Sequence, residues 1–287
     1  MTRIADILAN GRTFSFEFFP PKNEAEQATL VRTLRDLEPL EPSFVSVTYR
    51  GGRESRRRTH DLVVGMLRTT TLTPMAHLTC VVHSRLELAE ILVDYRKAGI
   101  ENVLALGGDP PVEASDGAGE LAFALDLVEL AHAIGGFSVG VAAHPELHPR
   151  SPDRATDREH LARKLEVADF AITQFFFRVE NYLDLMYDLS ARNLDKPVVP
   201  GIMPITNLNS VARMAELSGA AVPPEVVERL TAAGDGADDV RRMGVEIATE
   251  LCEKLLAEGA PGLHFYTLNR STATREIYTN LGLGRSA

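Results

Sequence analysis

Eight short runs rich in β-branched and aromatic residues alternate with longer stretches of helical periodicity along this chain. Such alternation is typical of βαβ units, in which each strand is followed by a helix that leads to a parallel neighbour. One helix is expected over Ser84–Ala98, because Ser84 suits its N-cap and Gly99 suits its end. The predicted strands are Thr13–Phe18, Phe44–Tyr49, Met75–Cys80, Asn102–Leu106, Ser138–Ala143, Phe170–Phe176, Val198–Met203 and Leu263–Leu268.

Eight βα units in 287 residues predict an α/β fold, a closed (βα)8 TIM barrel, with residues 1–287 forming a single catalytic domain. An open doubly wound sheet is the structural alternative. Two connections are longer than the others. Residues 110–119 are polar and glycine-rich and follow the fourth strand, and residues 219–240 are expected to add a helix before the eighth.

Composition limits the partners of the chain. A formal net charge of −10 argues against binding to nucleic acid or to anionic membranes, which needs surplus cations. No apolar run approaches the ~20 residues of a membrane span, and the N-terminus lacks the pattern of a signal peptide. Cys80 and Cys252 stand in apolar surroundings and are expected to be buried free thiols. These features together indicate a cytoplasmic protein.

Polar residues at the carboxyl ends of the strands are the candidates for chemistry in such a barrel. Glu17 lies between phenylalanines, where an anion is costly to bury, so the protonated form of a general acid is favoured. A pair with a buried arginine is the alternative. Asp109 follows two glycines that allow a ligand to approach, although a plain turn explains the same letters. Gln174 can donate and accept hydrogen bonds to a heterocycle, or it is a satisfied core amide.

The motif HPELH places His144, Glu146 and His148 at every second position. An extended chain would present all three on one side, where they suit a zinc ion, or the histidines hydrogen-bond an organic ligand. With Asp109 this set would serve a metal-dependent hydrolase. The run Arg53–Arg58 is interpreted as a solvated helix start that can also hold an anionic substrate tail. No GxSxG motif or P-loop is present.

Seven motifs resemble those of the methylenetetrahydrofolate reductase family, in order and along nearly the whole chain. The resemblance implies reduction of 5,10-methylenetetrahydrofolate to 5-methyltetrahydrofolate, in one-carbon metabolism and methionine supply. NADH or NADPH is the implied reductant and FAD the implied relay. The motifs are SFEFFPPK (Ser15–Lys22), FVSVTY, AHLTC, GGDPP, HPELHP, AITQFFF and LHFYTLNR.

The resemblance also implies roles for single residues. Glu17 matches the family's catalytic glutamate, which would protonate N10 of the folate and open its five-membered ring. Asp109 matches a catalytic aspartate that holds the pterin and favours the cationic intermediate. Gln174 would touch pterin and nicotinamide, and Arg270 would pair with a folate carboxylate. The implied cofactor-binding residues are Thr48, Tyr49, His77, Gly108, His144, His148, Asp157, Arg163 and Lys164.

Some positions depart from the family pattern. The family commonly has an arginine at Gly107, an aromatic residue at His144 and often a phenylalanine at Leu208. Because each lost charge-assisted contact costs roughly 1.5–3 kcal/mol, we expect FAD to be weakly held or absent, with NADH passing hydride directly. Two other functions stay open: the metal-dependent hydrolase, and a folate- or nucleotide-binding protein without turnover.

Overall fold

Eight parallel strands form a closed barrel in the order of the chain, from β1 to β8. The computed structural model describes residues 2–49, 53–108, 119–234 and 236–283, apart from the side chains of Arg53 and Glu54. The predicted barrel is therefore confirmed against the open sheet. The strands are β1 Thr13–Phe18, β2 Phe44–Val47, β3 Pro74–Thr79, β4 Asn102–Leu106, β5 Ser138–Ala143, β6 Phe170–Phe175, β7 Val198–Ile202 and β8 Gly262–Tyr266.

Helices separate the strands and cover the outside of the barrel. The helix predicted after Ser84 begins with a capping box between Ser84 and Glu87 and ends at Gly99, which has left-handed backbone geometry. The extra helix predicted between β7 and β8 is α9. The helices are α1 Ile4–Asn10, α2 Glu24–Leu37, α3 Arg53–Thr69, α4 Arg85–Ala98, α5 Ala124–Ile134, α6 Arg154–Val167, α7 Val179–Ser190, α8 Leu208–Ser218, α9 Pro224–Ala232, α10 Ala237–Ala257 and α11 Thr272–Asn280, with a 3₁₀ turn at Glu38–Leu40.

Alternation along each strand separates an apolar outer face from a more polar inner face. In β1, Phe16 and Phe18 are fully buried between the barrel and the helices. The ring centroids of Phe16 and Tyr278 in α11 are 5.3 Å apart. Ser15 and Glu17 alternate with these phenylalanines and therefore face the barrel interior.

Helix α1 closes the amino-terminal end of the barrel. Ile4 and Leu8 pack in one apolar cluster with inward residues of the strands, among them Phe44. The Ile4 backbone N–H donates to the Asn102 side chain at 2.8 Å, which satisfies one unpaired amide at the start of the helix. Among the described residues, α1 thus covers the amino-terminal end of the interior.

Both cysteines are buried and free, as expected. Burial raises the pKa of the Cys80 thiol to about 12, so this thiol is unreactive at neutral pH. None of the helices in the described ranges is long and apolar enough to cross a lipid bilayer.

Candidate active site

Glu17 lies on the inner face of β1 and is 7% exposed. Its Oε2 is 3.5 Å from Nε2 of His77 in β3 and 3.8 Å from Nε2 of His264 in β8. The expected apolar surroundings are therefore wrong, because the flanking phenylalanines point to the opposite face of the strand. Among the described residues, the charged neighbours of this carboxyl group are two imidazoles, and no arginine is paired with it.

His264 is held at the base of this polar layer. Its Nδ1 lies 2.7 Å from Ser15 Oγ and its Nε2 lies 3.4 Å from Ser46 Oγ, and the ring stacks on Phe44. The fully buried imidazole thus has a fixed orientation beneath Glu17. His264 is not among the residues predicted from the sequence. Its signal is the period-two alternation of β8, which places His264 on the inner face at the register of Ser15.

Three buried polar atoms near Glu17 have no hydrogen-bond partner among the described residues: Thr48 Oγ1, His77 Nε2 and Thr79 Oγ1. Burial lowers the pKa of His77 to about 4, although the Glu17 carboxylate opposes the shift, so this imidazole is neutral at pH 7. Unsatisfied buried polar atoms are costly unless a ligand or water completes them. The polar edge of a flat heterocycle such as a pterin, nicotinamide or flavin ring fits this side of the barrel.

Gln174 is placed by an irregularity in β6. The register between β6 and β7 shifts between Ile172 and Phe175, and the Gln174 side-chain oxygen accepts from the Phe175 N–H at 3.0 Å. Tyr266 reaches across β7 to donate to the Thr173 carbonyl at 2.6 Å. Gly201 permits this crossing, because a Cβ there would lie 2.6 Å from the Tyr266 ring. Tyr266 is a second inner residue that was not predicted from the sequence.

The loop after β5 does not form the metal site that its spacing suggests. His144 and His148 contact each other edge to face, with ring centroids 4.5 Å apart. Glu146 instead accepts from the Asn181 side chain and the Ala221 N–H, both at 2.8 Å. The chain bends at Pro145 and Glu146, so the period of two fails there. In the part of the chain that the structure describes, no three His, Cys, Asp or Glu side chains are placed to share a metal ion.

Arg158 of α6 holds this loop from beneath and was also missed. Its buried guanidinium donates to the carbonyls of His144 at 2.9 Å and Pro145 at 2.6 Å, and it pairs with Asp157 at 2.8 Å and Asp188 at 3.1 Å. Asp157, expected to bind a cofactor, is thus engaged in fixing the loop. A single arginine inside a helix carries no sequence pattern that predicts such a role.

Two cations expected to bind the cofactor, Lys164 and Arg163, contact other groups of the protein. Lys164 donates from Nζ to the Ala142 carbonyl at 2.7 Å, and burial lowers its pKa to about 8. The Arg163 side chain is 62% exposed and pairs with Glu159. Gly107 offers no side chain, and a Cβ at this position would meet nothing within 4 Å.

A tightly held diphosphate needs cations or free N–H groups directed at it. Gly107, Lys164 and Arg163 therefore direct no cation at the diphosphate of a resident FAD. Gly108 has a φ of +83°, and a Cβ there would lie 2.5 Å from Val81, so the turn requires glycine. Asp109 and the loop over residues 110–118 lie outside the described residues.

Two remaining candidates lie apart from the inner layer. Tyr49 packs in the outer core, where its hydroxyl pairs with His83 Nε2 and the two rings stack. Arg270 follows β8 and lines a cavity of about 460 Å³ together with Thr48. The structure thus gathers Glu17, His77 and Gln174 at the inner strand ends and places Arg270 at their edge.

The family model for methylenetetrahydrofolate reductase matches residues 3–282, which is nearly the whole chain. The chain belongs to the methylenetetrahydrofolate reductase family. It is 39% identical over 274 residues to the 5,10-methylenetetrahydrofolate reductase of Pectobacterium carotovorum subsp. carotovorum, with 94% of this chain and 90% of that protein covered. The enzyme of the same name from Escherichia coli K12 is 36% identical over 270 residues, at the same coverage.

Other relatives of the methylenetetrahydrofolate reductase family are longer. A probable methylenetetrahydrofolate reductase (NADH) of Oryza sativa subsp. japonica is 35% identical over 298 residues, which cover 98% of this chain and 50% of that protein. Among solved structures, an uncharacterized Clostridium thermocellum protein that binds two copies of 5-methyl-5,6,7,8-tetrahydrofolic acid superposes with a TM-score of 0.66 at 16% identity, over 98% of this chain and 97% of that one. At 16% identity, the likeness to the Clostridium thermocellum protein bears on the fold alone. The expected family is confirmed, and the metal-dependent hydrolase is not supported.

Proposed function

We propose that this protein reduces 5,10-methylenetetrahydrofolate to 5-methyltetrahydrofolate with NADH or NADPH. Family membership supports the reaction. The observation that carries the proposal is the position of Glu17, buried inside the open end of the barrel and flanked by two imidazoles. No other carboxyl group in the described ranges has this placement at the strand ends.

The chemistry requires a proton before it requires a hydride. The methylene bridge is a poor hydride acceptor until protonation at N10 opens the five-membered ring to a 5-iminium cation. Glu17 is the group placed to supply that proton, and the imidazole beside it, His77, is neutral at pH 7. Hydride then moves to the iminium carbon, which becomes the methyl group, and the carboxylate regains a proton from solvent.

Three residues orient the reactants in this proposal. Gln174 hydrogen-bonds the pterin and the nicotinamide, and Arg270 pairs with a carboxylate of the folate. Asp109 holds the pterin edge, and its charge stabilises the iminium cation. These roles rest on the family resemblance and on the rim positions of Gln174 and Arg270.

We further propose that hydride passes directly from NAD(P)H to the folate. Gly107 has no side chain, Lys164 binds the Ala142 carbonyl and Arg163 pairs with Glu159, so none of these three positions directs a cation at a diphosphate. A dinucleotide that enters and leaves in each turnover needs only weak binding there, whereas a resident FAD needs strong binding.

The test is an NADH-oxidation assay with methylenetetrahydrofolate, with and without added FAD, joined to an absorption spectrum of the purified protein. We expect turnover without FAD and no flavin band near ~450 nm. A stoichiometric flavin band, or activity only with FAD, would end the direct-transfer proposal. Absence of turnover under every condition would overturn the reductase itself.

A further inference from the structure

The turn that follows β8 has a backbone conformation that bulky residues rarely adopt. Leu268 and Asn269 have φ values of +51° and +55°, and the Arg270 N–H donates to the Thr267 carbonyl at 2.9 Å. Two positive φ values inside one hydrogen-bonded turn are typical of type I′ turns, in which glycine, asparagine and aspartate predominate. Asparagine tolerates this conformation, whereas leucine is strained in it. Other contacts must therefore hold the turn in place.

The Asn269 side chain binds this turn to the end of β1. Its oxygen accepts from the Phe19 N–H at 2.8 Å, and its nitrogen donates to the Phe19 carbonyl at 2.9 Å. One amide thus satisfies both backbone groups of a residue that lies just beyond the strand. Phe19 stands two positions after Glu17. The amide clamp therefore links the loop that carries Arg270 to the strand that carries Glu17.

Two threonine hydroxyls hold the same turn. Thr267 Oγ1 donates to the Glu17 carbonyl at 2.6 Å and accepts from the Asn269 N–H at 3.2 Å. Thr33 of α2 donates from its Oγ1 to the Asn269 carbonyl at 2.8 Å. Both threonines are buried. Every polar group of Asn269 is thus engaged with β1, α2 or its own turn, which fixes the residue in three dimensions.

Strained backbone that several hydrogen bonds maintain is found most often at functional sites. The residue next to this strained pair is Arg270, which is exposed and lines the same cavity as Phe19. A long arginine side chain has many rotamers, so the position of its backbone decides which points the guanidinium can reach. Fixing the turn against β1 therefore fixes the origin of the Arg270 side chain relative to Glu17.

We propose that Asn269 is a positioning residue that holds Arg270 at a set place relative to Glu17, so that a folate carboxylate binds Arg270 while N10 lies at the acid. The inference rests on the proposed reduction of methylenetetrahydrofolate and on the roles given there to Glu17 and Arg270. The amide of Asn269 is occupied by Phe19, so Asn269 acts through Arg270. Its contribution is to folate binding and not to proton transfer.

The test is the variant Asn269→Gly, because glycine adopts the left-handed backbone without strain and only the amide clamp is lost. We expect KM for methylenetetrahydrofolate at saturating NADH to rise by about three- to thirtyfold, up to the range for losing one charge-assisted contact. Both kcat and KM for NADH are expected to stay within about twofold of wild type, which general loosening of the site would not allow.

Asn193→Gly is the matched control. Asn193 has a φ of +58° and is exposed in the turn after α7, at the opposite end of the barrel. The replacement and the backbone conformation are therefore the same, but no link to β1 is removed. We expect wild-type KM values in this variant. A KM for the folate that is equal in Asn269→Gly and Asn193→Gly would overturn the proposal.

A double variant shows whether Asn269 acts through Arg270. Arg270→Met is expected to raise KM for the folate, and Asn269→Gly/Arg270→Met is expected to raise it by no more than about twofold beyond that. The clamp has then lost the side chain that it positions, so the two effects do not add. Full additivity of the two changes would contradict the proposed role of Asn269.

Calorimetric binding of 5-methyltetrahydrofolate needs no turnover and separates this inference from the reductase. If Arg270→Met weakens binding while Asn269→Gly binds like wild type, the positioning role fails and the proposed function stands. Absence of binding by the wild-type protein would overturn the proposed function itself. If Asn269→Gly does not fold, Thr33→Val removes only the bond to the Asn269 carbonyl. A rise in KM of about two- to fivefold is expected there, and an unchanged KM would overturn the proposal.

Discussion

Cations on two sides of the barrel mouth have different roles. On the β8–β1–β2 side, Lys22, Arg58 and Arg270 line an open cavity. On the β4–β5 side, Arg158 and Lys164 donate to carbonyl groups of the protein itself. The same residue types therefore line a cavity on one side and stabilise the backbone on the other.

The backbone explains the difference. The loop after β5 bends at Pro145 and leaves carbonyl groups that no strand or helix pairs, and buried carbonyls need donors. A buried arginine supplies several at once. On the other side, Asn23 and Glu26 satisfy the amides at the start of α2. Backbone demand thus draws Arg158 and Lys164 into the scaffold.

The largest expected contrast is between two carboxyl groups. Glu17→Gln is expected to lower kcat by about 10²–10⁴-fold, because the proton to N10 is lost. Glu146→Gln, in the loop after β5, is expected to keep kcat within roughly threefold, since it weakens one loop hydrogen bond of about 1 kcal/mol. NADH oxidation measures both. Near-wild-type turnover of Glu17→Gln would remove it from the mechanism, and a large loss in Glu146→Gln would move chemistry to the β5 loop.

Two arginines test the division between scaffold and ligand surface. Arg158→Met is expected to lower the free energy of unfolding by about 3–5 kcal/mol, because it leaves buried partners unpaired. Arg270→Met is expected to change it by less than about 0.5 kcal/mol and to raise KM for the folate instead. Urea unfolding and steady-state kinetics give the two values. Equal stability of the two variants would erase the contrast.

Introducing a cation on the β4–β5 side should sharpen the contrast between the two sides of the barrel mouth. Gly107→Arg is expected to tighten FAD binding by about ten- to hundredfold, since one charge-assisted contact contributes roughly 1.5–3 kcal/mol and a side chain has room there. Gly107→Leu supplies bulk without charge. Titration of FAD fluorescence measures the affinities, and equal binding by the two variants would show that a missing cation does not limit flavin binding.

The smallest expected effect is a pH dependence of stability. Burial lowers the pKa of His144 to about 3, with His148 and nearby cations acting in the same direction. Because the unfolded chain then binds more protons between about pH 3 and 6.5, this histidine makes the protein less stable as pH falls through that window. His144→Phe is expected to reduce the loss between pH 6.5 and 5 by about 1–2 kcal/mol. Parallel pH profiles of unfolding for wild type and variant would contradict this.

Strand and helix periodicity predicted the barrel well. The predicted strands differ from the observed ones by at most two residues at an end, as where β2 ends at Val47 rather than Tyr49. Local patterns suffice because each element alternates or repeats along its own length. The prediction that Glu17 stands at the working end also needed only its strand position and neighbours.

The partners of Glu17 and Glu146 could not be predicted from local sequence patterns. His264 is 247 positions from Glu17 in the sequence and approaches it because β8 pairs with β1 when the barrel closes. Glu146 leaves its neighbouring histidines because a bend directs it to Asn181 and Ala221. Neither arrangement follows from spacing along the chain.

By itself, the sequence determined that eight βα units close into a barrel, and which family the chain belongs to. Only the tertiary structure decided that the Glu17 carboxyl group lies between two imidazoles, that Arg158 and Lys164 bind the protein's own carbonyls, and that three cations distant in sequence line one cavity. The physical reason is the separation along the sequence over which each interaction acts. Periodicity and capping act over a few residues, whereas hydrogen-bond satisfaction and electrostatic fields depend on groups that only barrel closure brings together.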